Sequence, residues 1–241
     1  MKLKFLCALF CLCAFSFPAF AQSVVVTPKK TTYKRPKPLS EYKKSFVLIR
    51  PKVNGISPAL TKKIESSISF EKNFDFNVRE EVSEIQWLEE ASYKVNYNKN
   101  GILGIILSVV GSGAYPSEYE KSVVVNLKTG ERVVAKDVFV KLSEFVAKLK
   151  RAQQGEIKKA IADIKKNEPD EENPEQLFEN TNFTIENLDE FSINNTGVTF
   201  RYDYGFPHVA LALQPEGRYF YSWSQLKPFV RRDGLFAKFI R

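Results

Sequence analysis

The chemically richest stretch of this chain is Tyr202-Asp203-Tyr204-Gly205-Phe206-Pro207-His208. Asp203 is near enough in sequence to orient the His208 imidazole, and the phenols of Tyr202 and Tyr204 add hydroxyl donors and acceptors. Such a set suits a polar binding cleft at a sheet edge. It equally suits a Gly-Pro turn whose polar groups satisfy the backbone. A second loop, Gly113 to Tyr119, contributes Tyr115 and Tyr119, so the candidate ligand-binding residues are Tyr115, Tyr119, Tyr202, Asp203, Tyr204 and His208.

What is missing narrows the chemistry. His208 is the only histidine, which excludes paired-histidine metal motifs and leaves a serine triad with one usable base. No GxSxG elbow and no phosphate-binding glycine loop occurs. Gly111-Ser112-Gly113 comes nearest, and it reads as a bulge or turn ending a strand. Carboxylates are plentiful: Glu80, Glu81, Glu84, Glu89, Glu90, Glu118 and Glu120. Glycan hydrolysis needs two of them facing each other, whereas most charged residues are solvated. Asp170-Glu171-Glu172 lacks the glycine and spacing of a calcium loop. The residues therefore predict no catalytic group, no metal and no cofactor.

The N-terminus predicts export. Lys2 and Lys4 stand at the start of an apolar run from Leu3 to Phe17, Pro18 breaks it, and Ala19-Phe20-Ala21 is a small-x-small cleavage pattern. Residues 1–21 read as a signal peptide cut after Ala21, giving a periplasmic or secreted chain. The run falls short of the roughly 20 residues that span a bilayer, so no transmembrane segment is expected in the mature chain. Cys7, Cys11 and Cys13 all lie in the leader, so the mature chain has no thiol and no disulfide.

The formal charge of +8 is concentrated at one end. Between Gln22 and Lys52, nine lysines and arginines oppose Glu41 alone, and Val53 to Arg241 is slightly acidic. This distribution argues against a folded nucleic-acid surface. Residues 22–44, with Pro28, Pro36, Pro38 and many lysines, read as a basic Pro/Lys/Thr linker. It would space the domain from the envelope or touch anionic polymers and lipid headgroups.

The elements that must carry these residues read as α+β, with antiparallel-rich sheets and two amphipathic helices on one face. Strand patterns occur at Phe46–Ile49, Phe74–Val78, Tyr93–Tyr97, Ile102–Val110, Ser122–Leu127 and Glu131–Ala135. The unbroken apolar run Ile102–Val110 fits a strand covered on both faces. Ser57-Pro58 starts a helix reaching about Phe70. Asp137 can cap another, and Leu142–Ile164 repeats at helical spacing as two helices or one kinked at Gly155. Strands return at Phe183–Ile185, at a hairpin around Asn194-Asn195-Thr196-Gly197, and at a Val209–Leu213/Tyr219–Trp223 pair, with Ser224 capping a last helix. Tyr219, Tyr221 and Trp223 share one face opposite Phe220. An N-terminal half, 45–136, and a C-terminal half, 137–241, follow from this order.

Two stretches carry a family resemblance: NGILGIILSVVGSGAYP with SVVVNLKTGERVVAKDVF, and NFTI with GVTFRYDYGFPHVALAL and YFYSWSQLKPFV. Together they resemble the paired extracytoplasmic domains of unknown function in lysozyme-sensing anti-sigma factors and in the accessory region of peptidoglycan deacetylases. The resemblance implies a module that binds wall glycan or an envelope or secreted protein, and it supplies no catalytic residue. The sequence thus predicts an exported non-enzymatic binding module. The rivals are a carboxylate-dependent hydrolase of envelope polysaccharide and a structural protein tethered by its basic tail.

Overall fold

The computed structural model describes residues 23–113, 115–168 and 173–241. The predicted leader and Asp170-Glu171-Glu172 lie outside the described residues. The chain forms an α+β fold with two sheets. The first contains β1 (Val25–Lys34), β2 (Ser45–Asn54), β3 (Leu88–Lys99), β4 (Ile102–Ser112) and β5 (Pro116–Asn126), ordered as in the sequence. Only the β2–β3 pair is parallel.

Alternation explains how this sheet is covered. Leu103, Ile105, Leu107 and Val109 point to one face, where they pack with Phe46, Leu48, Ile64 and Phe70. Ile102 on β4 and Val124 on β5 point to the other face and join a second core. The β3–β4 turn places Asn100 and Gly101 at φ 57° and 72°, the geometry that suits a tight hairpin. Beyond Ile102 the second face of β4 is not continuously covered: Ile106 and Ser108 open onto a groove.

Residues 25–34, expected to belong to a linker, instead form an edge strand paired with β2 along ten residues, from Val25↔Asn54 to Lys34↔Ser45. Val25, Val26, Thr27, Thr31 and Thr32 favour strand, and an edge strand tolerates the proline and lysines that also describe a linker. Arg35 then fastens the segment. Its side chain is fully buried and donates to the carbonyls of Glu81 (3.0 Å), Lys43 (2.7 Å) and Leu88 (2.7 Å).

Three helices cover the first core: α1 (Pro58–Ser67), α2 (Phe70–Phe74) and α3 (Val78–Ser83). The strand expected at Phe74–Val78 is replaced by the junction of the last two. Ser69 caps α2 by accepting Lys72 N–H, and Asn77 caps α3 by accepting Arg79 N–H at 2.8 Å. Asp75, at φ 52°, ends α2.

The second unit is built on α4 (Ala135–Val138), α5 (Leu142–Asn167) and a sheet of β6 (Phe191–Ile193), β7 (Gly197–Arg201) and β8 (Arg218–Ser222), followed by α6 (Trp223–Leu226). α5 runs 26 residues without interruption at Gly155, so one helix stands where two were an option. Asp137 lies inside α4, accepting Val134 N–H, rather than capping α5. The return strand at 131–135 reduces to a single bridge, Val125↔Arg132. Phe183–Ile185 is irregular, and His208–Leu213 forms a 3₁₀ turn between Pro207 and Pro215 instead of pairing as a strand. Ser222, not Ser224, caps α6 by accepting Gln225 N–H. The core is aromatic: Phe139 meets Phe145, Phe191, Phe200 and Phe236 at centroid distances of 5.5–6.1 Å. Tyr219, Tyr221 and Trp223 take the buried face, leaving Phe220 exposed.

Candidate functional site

Strand register builds a polar groove between the sheets. Ser92 on β3, Ser108 on β4 and Glu120 on β5 form one rung, and Lys94, Ile106 and Ser122 form the next. From the other sheet, Ser192 pairs with Thr199, and Arg201 with Arg218. Period-two alternation makes these the polar faces of strands whose other faces bury Leu107, Val123, Phe191 and Phe200. The space between them is about 440 Å³, lined by these residues and Tyr93. Asn96 Nδ2 donates to Ile193 O at 2.9 Å and Ser122 N–H to Glu190 Oε1 at 2.7 Å, fixing one sheet against the other.

The electrostatics are unbalanced. Glu120 Oε2 accepts from Arg201 Nη1 at 2.7 Å and lies 3.5 Å from Arg218 Nη2. Lys94 adds a third cation, so the lining holds three positive groups and one carboxylate. Ser122 is 1% exposed, and its Oγ has no hydrogen-bond partner among the described residues.

The sequence-predicted residues divide into three sets. Tyr115 and His208 do come together: their rings stack at 4.2 Å and 18°, and His208 Nε2 lies 3.4 Å from Pro116 O. Both are exposed. Pro116 opens β5, so this stack sits at the end of the strand that carries Glu120 and Ser122, roughly 20 Å from Ser122 at a strand rise of about 3.3 Å per residue.

Asp203 does not orient His208. Its Oδ1 accepts Gly205 N–H at 2.9 Å, closing a turn, and no bond to the imidazole exists among the described residues. Tyr119 points to the opposite face of β5, against Trp87 at 5.8 Å. Trp87 in turn packs on Gly111, where a Cβ would lie 2.3 Å from the indole, which explains that glycine without a ligand.

Tyr202 and Tyr204 serve the fold. Tyr202 OH accepts Asn182 N–H at 2.9 Å. Tyr204 is buried and bonds Glu156 Oε2 at 2.8 Å, beside Tyr219 OH at 2.6 Å from the same oxygen. Burial, with Glu156 adding to it, raises both phenols well above their usual range.

Of the candidate carboxylates, Glu120 alone lines the groove. Glu81 is buried against Arg35 and accepts Leu88 N–H at 2.8 Å, and Glu89 pairs with Lys43. No cluster of three or more metal-ligating side chains occurs among the described residues. The groove's serines and arginines were not singled out from the sequence. Their signal is the pair Ser108 and Ser122, polar residues interrupting apolar strands.

No family model matches the sequence, and no curated protein matches it. Solved structures do resemble the fold. A DUF3298 family protein from Pseudomonas aeruginosa PAO1 aligns over 88% of this chain and 96% of its own, with TM-score 0.58 and 12% identity. A DUF3298 member from Bacteroides fragilis NCTC 9343 aligns over 91% and 98%, with TM-score 0.50 and 10% identity. At these identities the likeness establishes a shared fold, that of a domain of unknown function.

Proposed function

We propose that the chain is an exported, non-enzymatic module that binds a component of the bacterial envelope, wall glycan foremost, in the groove between its two sheets. The observation that carries this reading is the groove lining, which combines the hydroxyl-bearing Ser92, Ser108, Ser122, Ser192 and Thr199 with the guanidinium pair Arg201 and Arg218. Hydroxyl groups donate and accept together, which matches a polyhydroxylated ligand. Concave sites with a few convergent polar groups are where ligands bind.

Hydrolysis on two carboxylates fits the groove less well. Glu120 is the one carboxylate in the lining, and arginines already hold it. Export rests on residues 1–21 and on the resemblance to extracytoplasmic domains. No described helix is long and apolar enough to cross a membrane.

The test is retention of the mature chain, from Gln22, on purified insoluble peptidoglycan, with immobilised lysozyme as the protein alternative. Retention on peptidoglycan that Ser108→Ala/Arg201→Gln abolishes is the expected result. Retention on lysozyme alone moves the ligand to a protein, and retention on neither overturns the reading.

A further inference from the structure

Arg201 and Arg218 are direct cross-strand partners on the groove face. Like charges placed opposite each other destabilise a sheet. The structure offsets this with a single oxygen of Glu120, reached from the other sheet, while Lys94 adds further positive charge to the same space. A local rule broken at a concave surface points to a site. A second observation is independent of charge: Ser122 lies at the groove wall, and its buried Oγ has no hydrogen-bond partner among the described residues. Fixed cations in a partly desolvated cleft concentrate anions.

We propose that the groove selects an anionic, carboxylate-bearing glycan, with Arg201 and Arg218 as the recognising fork and Glu120 as an internal competitor that the ligand displaces. This rests on the groove being the binding site proposed above. Arginine is suited to the task because its planar donor fork matches a carboxylate. Glu120 holds the fork in place while the groove is empty, which limits the cost of keeping two guanidiniums side by side. The ligand's carboxylate then takes over one or both arginines, and its hydroxyls meet the serine-lined wall.

Titration calorimetry on the full mature chain tests this with soluble wall-glycan strands, as isolated and after carbodiimide amidation of their carboxyl groups. Wild type is expected to bind the unmodified strands about tenfold more tightly than the amidated ones. The double variant Arg201→Gln/Arg218→Gln is expected to lose that preference. Glu120→Gln frees both guanidiniums and is expected to tighten binding of the unmodified strands about threefold, with the amidated strands unaffected. A gain of affinity has no explanation in a damaged fold. Equal wild-type affinity for the two forms overturns anion selection and leaves glycan binding standing. Binding of neither form overturns the function itself. A Glu120→Gln variant that binds unmodified strands more weakly overturns the competitor role.

Discussion

The hydroxyl oxygens of Tyr204 and Tyr219 stand 2.9 Å apart, and both reach one carboxylate oxygen of Glu156. The other Glu156 oxygen accepts Gly217 N–H at 3.1 Å, so a single side chain on α5 ties down β8 and the loop before it. Both phenols are raised above the ordinary value near 10, first by burial and then by the carboxylate. The native state therefore keeps protons that the unfolded chain releases. Stability from this pair is complete below about pH 10 and is lost as pH rises beyond it. Urea unfolding at stepped alkaline pH is expected to show that fall, with phenolate absorbance of this pair appearing only on unfolding. Tyr219→Phe is expected to flatten the slope.

Arg35 makes the N-terminal strand part of the fold. Arg35→Ala strands a buried Glu81 and is expected to cost about 3–5 kcal/mol in denaturant unfolding. Deleting residues 22–34 is expected to destabilise the whole first sheet. A deletion that leaves stability intact but releases the chain from the envelope would instead support a tether.

Two glycines are expected to behave oppositely. Gly217 sits at φ +59°, and a Cβ there would lie 1.9 Å from Tyr202 O. Gly217→Ala is expected to cost at least about 2 kcal/mol, measured by urea unfolding. Gly155 faces open space inside α5. Gly155→Ala is expected to raise stability by roughly 0.5–1 kcal/mol in the same assay.

The Tyr115–His208 stack is exposed, so alanine at either position is expected to change stability by no more than about 0.5 kcal/mol. Because the stack sits at the end of the strand that leads to the groove, the same changes are expected to weaken binding of long glycan strands more than short ones. Equal losses for both lengths, or none, in a titration series would remove the stack from the binding surface.

The long periodic elements are legible in the sequence: β4 by its apolar run, α5 by its stripe, and the β6–β7 hairpin by its Asn194-Asn195-Thr196-Gly197 turn. β1 is not, because an edge strand with a solvated side has a linker's composition. Val209–Leu213 has the residues of a strand but lies close-set between prolines, and a 3₁₀ turn fits there. Alternation correctly groups Tyr219, Tyr221 and Trp223 on one face. It carries no sign of which face is buried, and for the same reason Tyr204 reads as a binding group in the sequence although it belongs inside. The groove is not legible in the sequence because its walls come from strands as distant as Ser92 and Arg218. Only their register brings them together.

The two hydrophobic cores press on opposite faces of β4 and β5, and the groove begins where Ile102 and Val124 stop sharing that contact. A molecule lodged there would brace one half of the chain against the other. Occupancy and cohesion become one equilibrium seen from two sides. Filling the cleft should slow nicking by proteases in the connecting segments, and any force that prises the halves apart should expel the guest.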